Sequence, residues 1–252
     1  MCYIAVVKTL FQIREVSTLS FNERVLQEAE DPRNPLMERL RFLGIFSSNM
    51  DEFFKVRVAS IQRRIELGKK GMREVLETVA ERSRMLDERF REAYAGITAA
   101  LAEEGIRFVT EQNLAADDGG EPGEIRSWVR DYFRSSVLPT LVPIIISSSQ
   151  PFPQLTDGAL YFGIKMWGSK PRYSVLEIPS ELPRFVRLPN GHIMYIDDVV
   201  RFCLSDIFYI FTYDRIEAFE FKITRDAELD VDDDFSEGYV RKMERGLQKR
   251  KR

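Results

Sequence analysis

Residues 34–68 read NPLMERLRFLGIFSSNMDEFFKVRVASIQRRIELG. Leu36, Leu40, Leu43, Phe46, Met50, Phe53 and Phe54 recur at steps of three and four, the helical period, in a stripe heavy enough to be buried. Asn34 is a good N-cap, and Pro35 sits at the first helical position, where a missing N–H costs nothing. Inside this apolar helix stand Ser47-Ser48-Asn49 and then Asp51-Glu52. Local breaks of the apolar–polar pattern are where function concentrates, so this patch is the first candidate site.

Upstream, Ser20-x-x-Glu23 has the form of a capping box opening a short helix, with Val25, Leu26 and Ala29 as its inner face and Asp31-Pro32 as its stop. Downstream, Gly68 and Gly71 bracket a lysine-containing turn. Met72, Leu76, Val79, Ser83, Leu86, Phe90, Ala93 and Ile97 then alternate four- and three-residue steps, a heptad seam that predicts a second long helix packed near-antiparallel on another. Two long helices joined by a tight turn form an αα-hairpin. The expectation is an all-α hairpin or bundle domain over residues 1–104.

From Gly105 the pattern changes. Ile106 to Val109 reads as a strand, residues 117–123 as a polar loop, and Glu124 to Val137 as a helix. Pro139, Pro143, Pro151 and Pro153 predict an irregular connection. Strands are expected at 159–166, 173–178, 184–188 and 193–196, with Asn190-Gly191 as a tight turn between the last two. Asp197 is placed as the cap of a helix running to Ile207, and Phe219, Phe221 and Ile223 alternate with Glu220 and Lys222 as a strand with one wet face. These elements predict a mixed α/β domain over 105–252, cut short at its C-terminal end, and an α+β chain overall.

The 252 residues are 44% hydrophobic and 31% charged with net charge −3, ordinary for a globular protein and not the basic balance of a nucleic-acid binder. Cys2 and Cys203 match no metal-ligand spacing and read as reduced thiols. The start, MCYIAVVKTLF, lacks a basic leader and is too short to cross a bilayer, so neither a signal peptide nor a membrane span is expected.

The segment SFNERVLQEAEDPRNPLMERLRFLGIFSSNMDEFFKVRVASIQRRI, residues 20–65, closely resembles the opening of bacterial polyphosphate kinases. YSVLEIPSELPRFVRLP (173–189), VVRFCLSDIF (199–208) and ITRDAELD (223–230) are similar to the same family. The resemblance covers the family's helical N-terminal domain and head domain, with no counterpart to its catalytic half. Thr18 stands where family members usually carry tryptophan, and the first dozen residues are not familial.

The resemblance implies a phosphotransferase that builds inorganic polyphosphate from ATP through a phosphohistidine, with Mg2+ serving the full-length enzyme and not bound by this chain alone. It implies ATP and polyphosphate as partners, homodimers or higher homo-oligomers through the head domain, and a cytoplasmic location, at most peripheral to the inner membrane. It places Asn49 against the adenine of ATP, where a carboxamide offers both a donor and an acceptor; helical spacing sets Phe46 and Phe53, three and four residues away, on the same face as neighbours that could form an apolar wall. Read from its residues alone, Asn49 is a mid-helix packing residue.

The single histidine, His192, is expected as an exposed turn residue with no Lys or Arg in the four residues after it, unlike a phosphorylated imidazole set among cations. No catalytic residue is therefore assigned, and the chain alone is expected to be inactive. Asp51 and Glu52 point about 100° apart on a helix and read as surface charge, not as a metal pair. Arg57, Arg63, Arg64, Lys69 and Lys70 read as a solvated basic face, and the acidic run 226–234 lacks the glycine and closing glutamate of a calcium loop. The competing expectation is a standalone, non-catalytic protein-association module.

Overall fold

The structure, a computed structural model, describes residues 14–115, 123–147, 149 and 151–225. It is α+β, a helical part followed by mixed sheets, and it divides into two compact units, residues 14–100 and 101–224. The segments 1–13 and 226–252, and most of the polar loop expected at 117–123, lie outside the described residues, and with them Cys2 and the acidic run 226–234.

In the first unit, α1 runs Arg14–Glu30, α2 Leu36–Glu52, α3 Ala59–Glu66 and α4 Met72–Glu103, the last reaching into the second unit. Helix α1 begins before the expected capping box. Leu19, Asn22, Leu26 and Ala29 are its buried stripe, and the turn before Ser20 is needed to carry Leu19 into the core. Ser20 is thus mid-helix, its hydroxyl donating to the Val16 carbonyl. Asn34 likewise does not cap α2; its carboxamide donates to the Glu28 carbonyl, and Pro35 takes the N-cap position.

Between α2 and α3 the chain stays helical through a π segment, Phe53–Val58, where the Ala59 N–H reaches back five residues to the Phe54 carbonyl. The apolar pattern explains it. Leu43, Phe46 and Phe53 are buried, but a further four-residue step would turn Arg57 inward; the next buried positions are Val58 and Ile61. One extra residue in the turn realigns the stripe. Gly68 and Gly71 then adopt φ of +72° and +79°, conformations open to glycine, and the chain reverses into α4. The heptad seam holds: Val79, Ser83, Leu86, Ala93 and Ile97 are buried, and Phe46 of α2 stacks on Phe90 at 5.5 Å. Helices α1 and α4 are joined by Arg89, which forks to Glu30 and also reaches Glu23, and by Arg82, which pairs with Glu23.

In the second unit a four-stranded antiparallel sheet has the order β2-β4-β3-β7, from Ile144–Ile146, Arg172–Glu177, Leu160–Trp167 and Arg215–Lys222. A three-stranded sheet, β1-β6-β5, joins Phe108–Val109 in parallel to Ile193–Tyr195, which pairs antiparallel with Phe185–Arg187. The core gathers Phe162, Ile164, Met166 and Leu176 of the larger sheet, Val129 and Phe133 from the segment after residue 122, and Val199 and Val200. Four short helices complete the unit: α5 (Glu111–Ala115), α6 (Gly123–Tyr132), α7 (Ile196–Phe202) and α8 (Leu204–Ile207).

Three expectations are corrected here. The proline-rich connection is not wholly irregular, because β2 forms within it. Pro143 lies just before the strand and β2 is at a sheet edge, so no ladder N–H is lost, and the Ser174 hydroxyl donates to the Ile144 carbonyl. Asp197 is not a cap but a buried first-turn residue of α7, with Tyr195 at the N-cap and Arg184 3.0 Å away. On β7, Ile216 and Ala218 join the main core, while on the opposite face Phe221, stacked on Tyr161, and Ile223 pack on a second, smaller cluster. Of the three apolar residues expected to pack together only Phe219 does not, being 60% exposed, and Arg201 holds Glu220 and the Ala218 carbonyl. That arginine occupies the outer edge of β7, where another strand would otherwise pair.

Candidate functional site

The polar patch of α2 splits between two faces of the helix. Ser47, Met50 and Asp51 line a groove against α4, together with Phe46 and Phe54; Asn49 does not line it. The Asn49 side chain is half-buried, and its carboxamide has no hydrogen-bond partner among the described residues. Phe46 and Phe53 are buried at 4% and 3% exposure, so they back Asn49 as core residues and offer little free ring surface. Asn49 also sits at the entry to the π segment, since its carbonyl accepts the Phe53 N–H. Asp51 and Glu52 are exposed, as are Arg64, Lys69 and Lys70, whereas Arg57 and Arg63 are half-buried.

The groove encloses about 450 Å3, with Ala80, Ser83, Arg84, Asp87 and Phe90 as its α4 wall. Ser83 is buried and its hydroxyl has no partner. A serine in an otherwise apolar heptad seam was the sequence signal for this feature.

His192 differs from the solvated turn residue expected. It is half-buried, and its Nδ1 is buried without a partner. The turn explains this: the Gly191 N–H donates to the Leu188 carbonyl, Leu188 N–H to the His192 carbonyl, and Gly191 adopts φ +87°, so the histidine folds back at the start of the returning strand.

The second unit also concentrates carboxyls around α7. Asp198 faces Glu111, whose N–H lies 3.5 Å from it, while Asp197 is held by Arg184, and Arg201 pairs with Glu220. Burial pushes the Asp198 carboxyl well up, and the neighbouring Glu111 and Asp197 add to the effect. Burial raises Asp197 as well, against the pull of Arg184. The Cys203 thiol is free, buried and pushed up to about 12 by burial, hence unreactive. Among the described residues no group of three or more His, Cys, Asp or Glu is placed to hold a metal ion, and no helix is long and apolar enough to cross a membrane.

Comparison with known proteins accounts for both units in order. The polyphosphate kinase N-terminal domain matches residues 11–109, and the polyphosphate kinase middle domain matches residues 124–252. The chain belongs to the polyphosphate kinase family. It is 36% identical over 252 residues to a polyphosphate kinase of Vibrio vulnificus, covering 94% of this chain and 35% of the relative. Against the polyphosphate kinase of Escherichia coli K12 the identity is 36% over 256 residues, covering 96% of this chain and 36% of that one. The crystal structure of polyphosphate kinase from Porphyromonas gingivalis superposes with a TM-score of 0.75 at 29% identity, over 87% of this chain and 33% of that one. The chain thus spans about a third of the length of the family members it matches.

Proposed function

We propose that this chain is the N-terminal and head portion of a polyphosphate kinase, in which ATP donates its terminal phosphate to inorganic polyphosphate. Its own part is to contact the nucleotide base through Asn49 and to supply subunit contacts through the second unit, as a cytoplasmic homo-oligomer at most peripheral to the inner membrane. The imidazole nucleophile, the phosphates and the Mg2+ are held by parts of the enzyme beyond these two domains. What supports this is the in-order match to both family domains, joined to an Asn49 carboxamide that is half-buried and has no partner among the described residues. Such a group satisfies itself by bonding the edge of a base. The exposed apolar side chains of the larger sheet, Phe219, Tyr173 and Ile144, are consistent with subunit contacts.

The test is a chimera carrying residues 1–252 in place of the matching third of the Escherichia coli enzyme. Asn49→Ala should raise KM for ATP by roughly twofold to tenfold with little change in kcat, as expected for one neutral hydrogen bond. An unchanged KM removes Asn49 from the nucleotide site. The 252-residue chain alone should make no polymer from ATP, and synthesis by it would overturn the division of labour.

A further inference from the structure

We propose that the end of the larger sheet at the β3–β4 turn is a docking site for the inorganic polyphosphate chain. Over residues 165–172 and 211–217, Lys165, Lys170, Arg172 and Arg215 stand against only two acids, Asp214 and Glu217, in a chain whose net charge is −3. Strand pairing sets two of these cations side by side. Trp167 lies opposite Arg215 and Lys165 opposite Glu217, so Lys165 and Arg215 are diagonal neighbours on one face, about 7–8 Å apart at the backbone. Lys170 is exposed in the turn and Arg172 begins β4, which carries the positive charge around the end of the sheet. Cations spread in this way match a flexible chain with a charge on every repeating unit better than one compact anion.

The site is held in place by its neighbours. The Asp214 N–H donates to the Trp167 carbonyl at 2.7 Å, and Gly168 packs against residues 212 and 213, where an added Cβ would already be in contact at 3.6 Å. The Lys165 ammonium and the Arg215 guanidinium lie over the Trp167 ring, 4.4 and 4.0 Å from its centre, which orients both. The Arg172 guanidinium likewise covers Phe211 at 5.3 Å. Rings covered by cations leave little face on which a base can stack, and this favours a polyanion without bases over single-stranded nucleic acid. Of the two acids, Glu217 is turned to Arg215 at 3.2 Å. The choice of polyphosphate rests on the function proposed above; the charge and its geometry do not.

The probe is long-chain inorganic polyphosphate, titrated into the full 252-residue chain carrying Trp128→Phe, so that Trp167, the other of its two tryptophans, reports by fluorescence. The signal should change saturably at low salt, and the affinity should fall as salt rises. Lys165→Gln with Lys170→Gln should weaken binding about fivefold and flatten the salt dependence, while Lys165→Arg, which keeps the charge, should retain it. Lys69→Gln with Lys70→Gln, in the basic turn of the helical unit, should leave binding unchanged. The proposal is overturned by the absence of a saturable signal, by undiminished affinity in Lys165→Gln with Lys170→Gln, or by an equal loss in the Lys69 and Lys70 variant. Equal affinity for a single-stranded oligonucleotide of the same charge overturns it too. If Lys165→Gln perturbs the fold, Lys170→Glu at the exposed turn decides alone. Polymer synthesis by the chimera tests the wider assignment separately. An active chimera with no binding by the chain sinks only this site, and an inactive chimera sinks the assignment whatever the chain binds.

Discussion

Replacing Arg89 with methionine should destabilise the helical unit by about 2 kcal/mol, because one guanidinium ties α1 to α4 three times over. Its Nε and Nη2 donate to the two oxygens of Glu30 at 2.9 and 2.7 Å, and Nη1 donates to Glu23 at 2.7 Å. All three side chains are about two-thirds buried, which places them between the near-zero worth of a surface pair and the several kcal/mol lost when a fully buried pair is broken. Methionine keeps most of the apolar stem, so packing loss is small. Glu23 retains Arg82 at 3.0 Å, but Glu30 loses both of its bonds. The measurement is urea unfolding of the wild type, Arg89→Met, Glu30→Gln and the double variant, read as a double-mutant cycle. The pH dependence adds a second check. The hydrogen bond from Arg82, assisted by Arg89, holds the Glu23 carboxyl below its ordinary 4.5. Its contribution is present above the ordinary carboxylate range and is lost as pH falls through the depressed value, so the gap between wild type and variant should narrow in acid. A coupling energy below about 0.3 kcal/mol, or a gap independent of pH, would refute the assignment of this network as a clamp.

Three further outcomes are expected. Because Asp198 is raised from an ordinary 3.8 to about 8, its protonated form is favoured by folding; that contribution is full below pH 4 and lost as pH rises toward 8. Asp198→Asn, which cannot ionise, should therefore gain on the wild type as pH climbs across this window, and parallel thermal-melt curves would contradict it. Deleting Lys55 should turn the π segment into α-helix while keeping Val58 and Ile61 inward, so the chain should fold with its circular dichroism intact, whereas inserting a residue there should destabilise it. Gly191→Ala places a side chain at φ +87° and should lower stability by about 1 kcal/mol; a neutral effect in chemical denaturation would show that the hairpin relaxes.

How far these properties can be read without coordinates differs along the chain. The α2 stripe and the α4 seam are periodic over many turns, so each element carries its own signal, and the glycines at 68 and 71 mark the reversal between them. The π segment was legible too, as the five-residue step from Phe53 to Val58, but a search for three- and four-residue steps passes over it.

The amino-acid pattern alone determined the helical hairpin, the succession of strands between residues 159 and 223 and the family, because each depends on residues close in the chain or on a long run of matching identities. Only the tertiary structure decided that Ser20 lies inside a helix, that β2 adds to a sheet edge, that Asp197 is buried, and that β7 packs on both faces. It alone parted Asn49 from the groove lined by Met50 and Asp51, its neighbours within a single turn of helix. The physical reason is that burial and pairing are settled by partners far along the chain: Asp197 by Arg184, Ala218 by Arg201, Phe46 by Phe90. Local propensity does not contain those partners, and where they conflict with it they win.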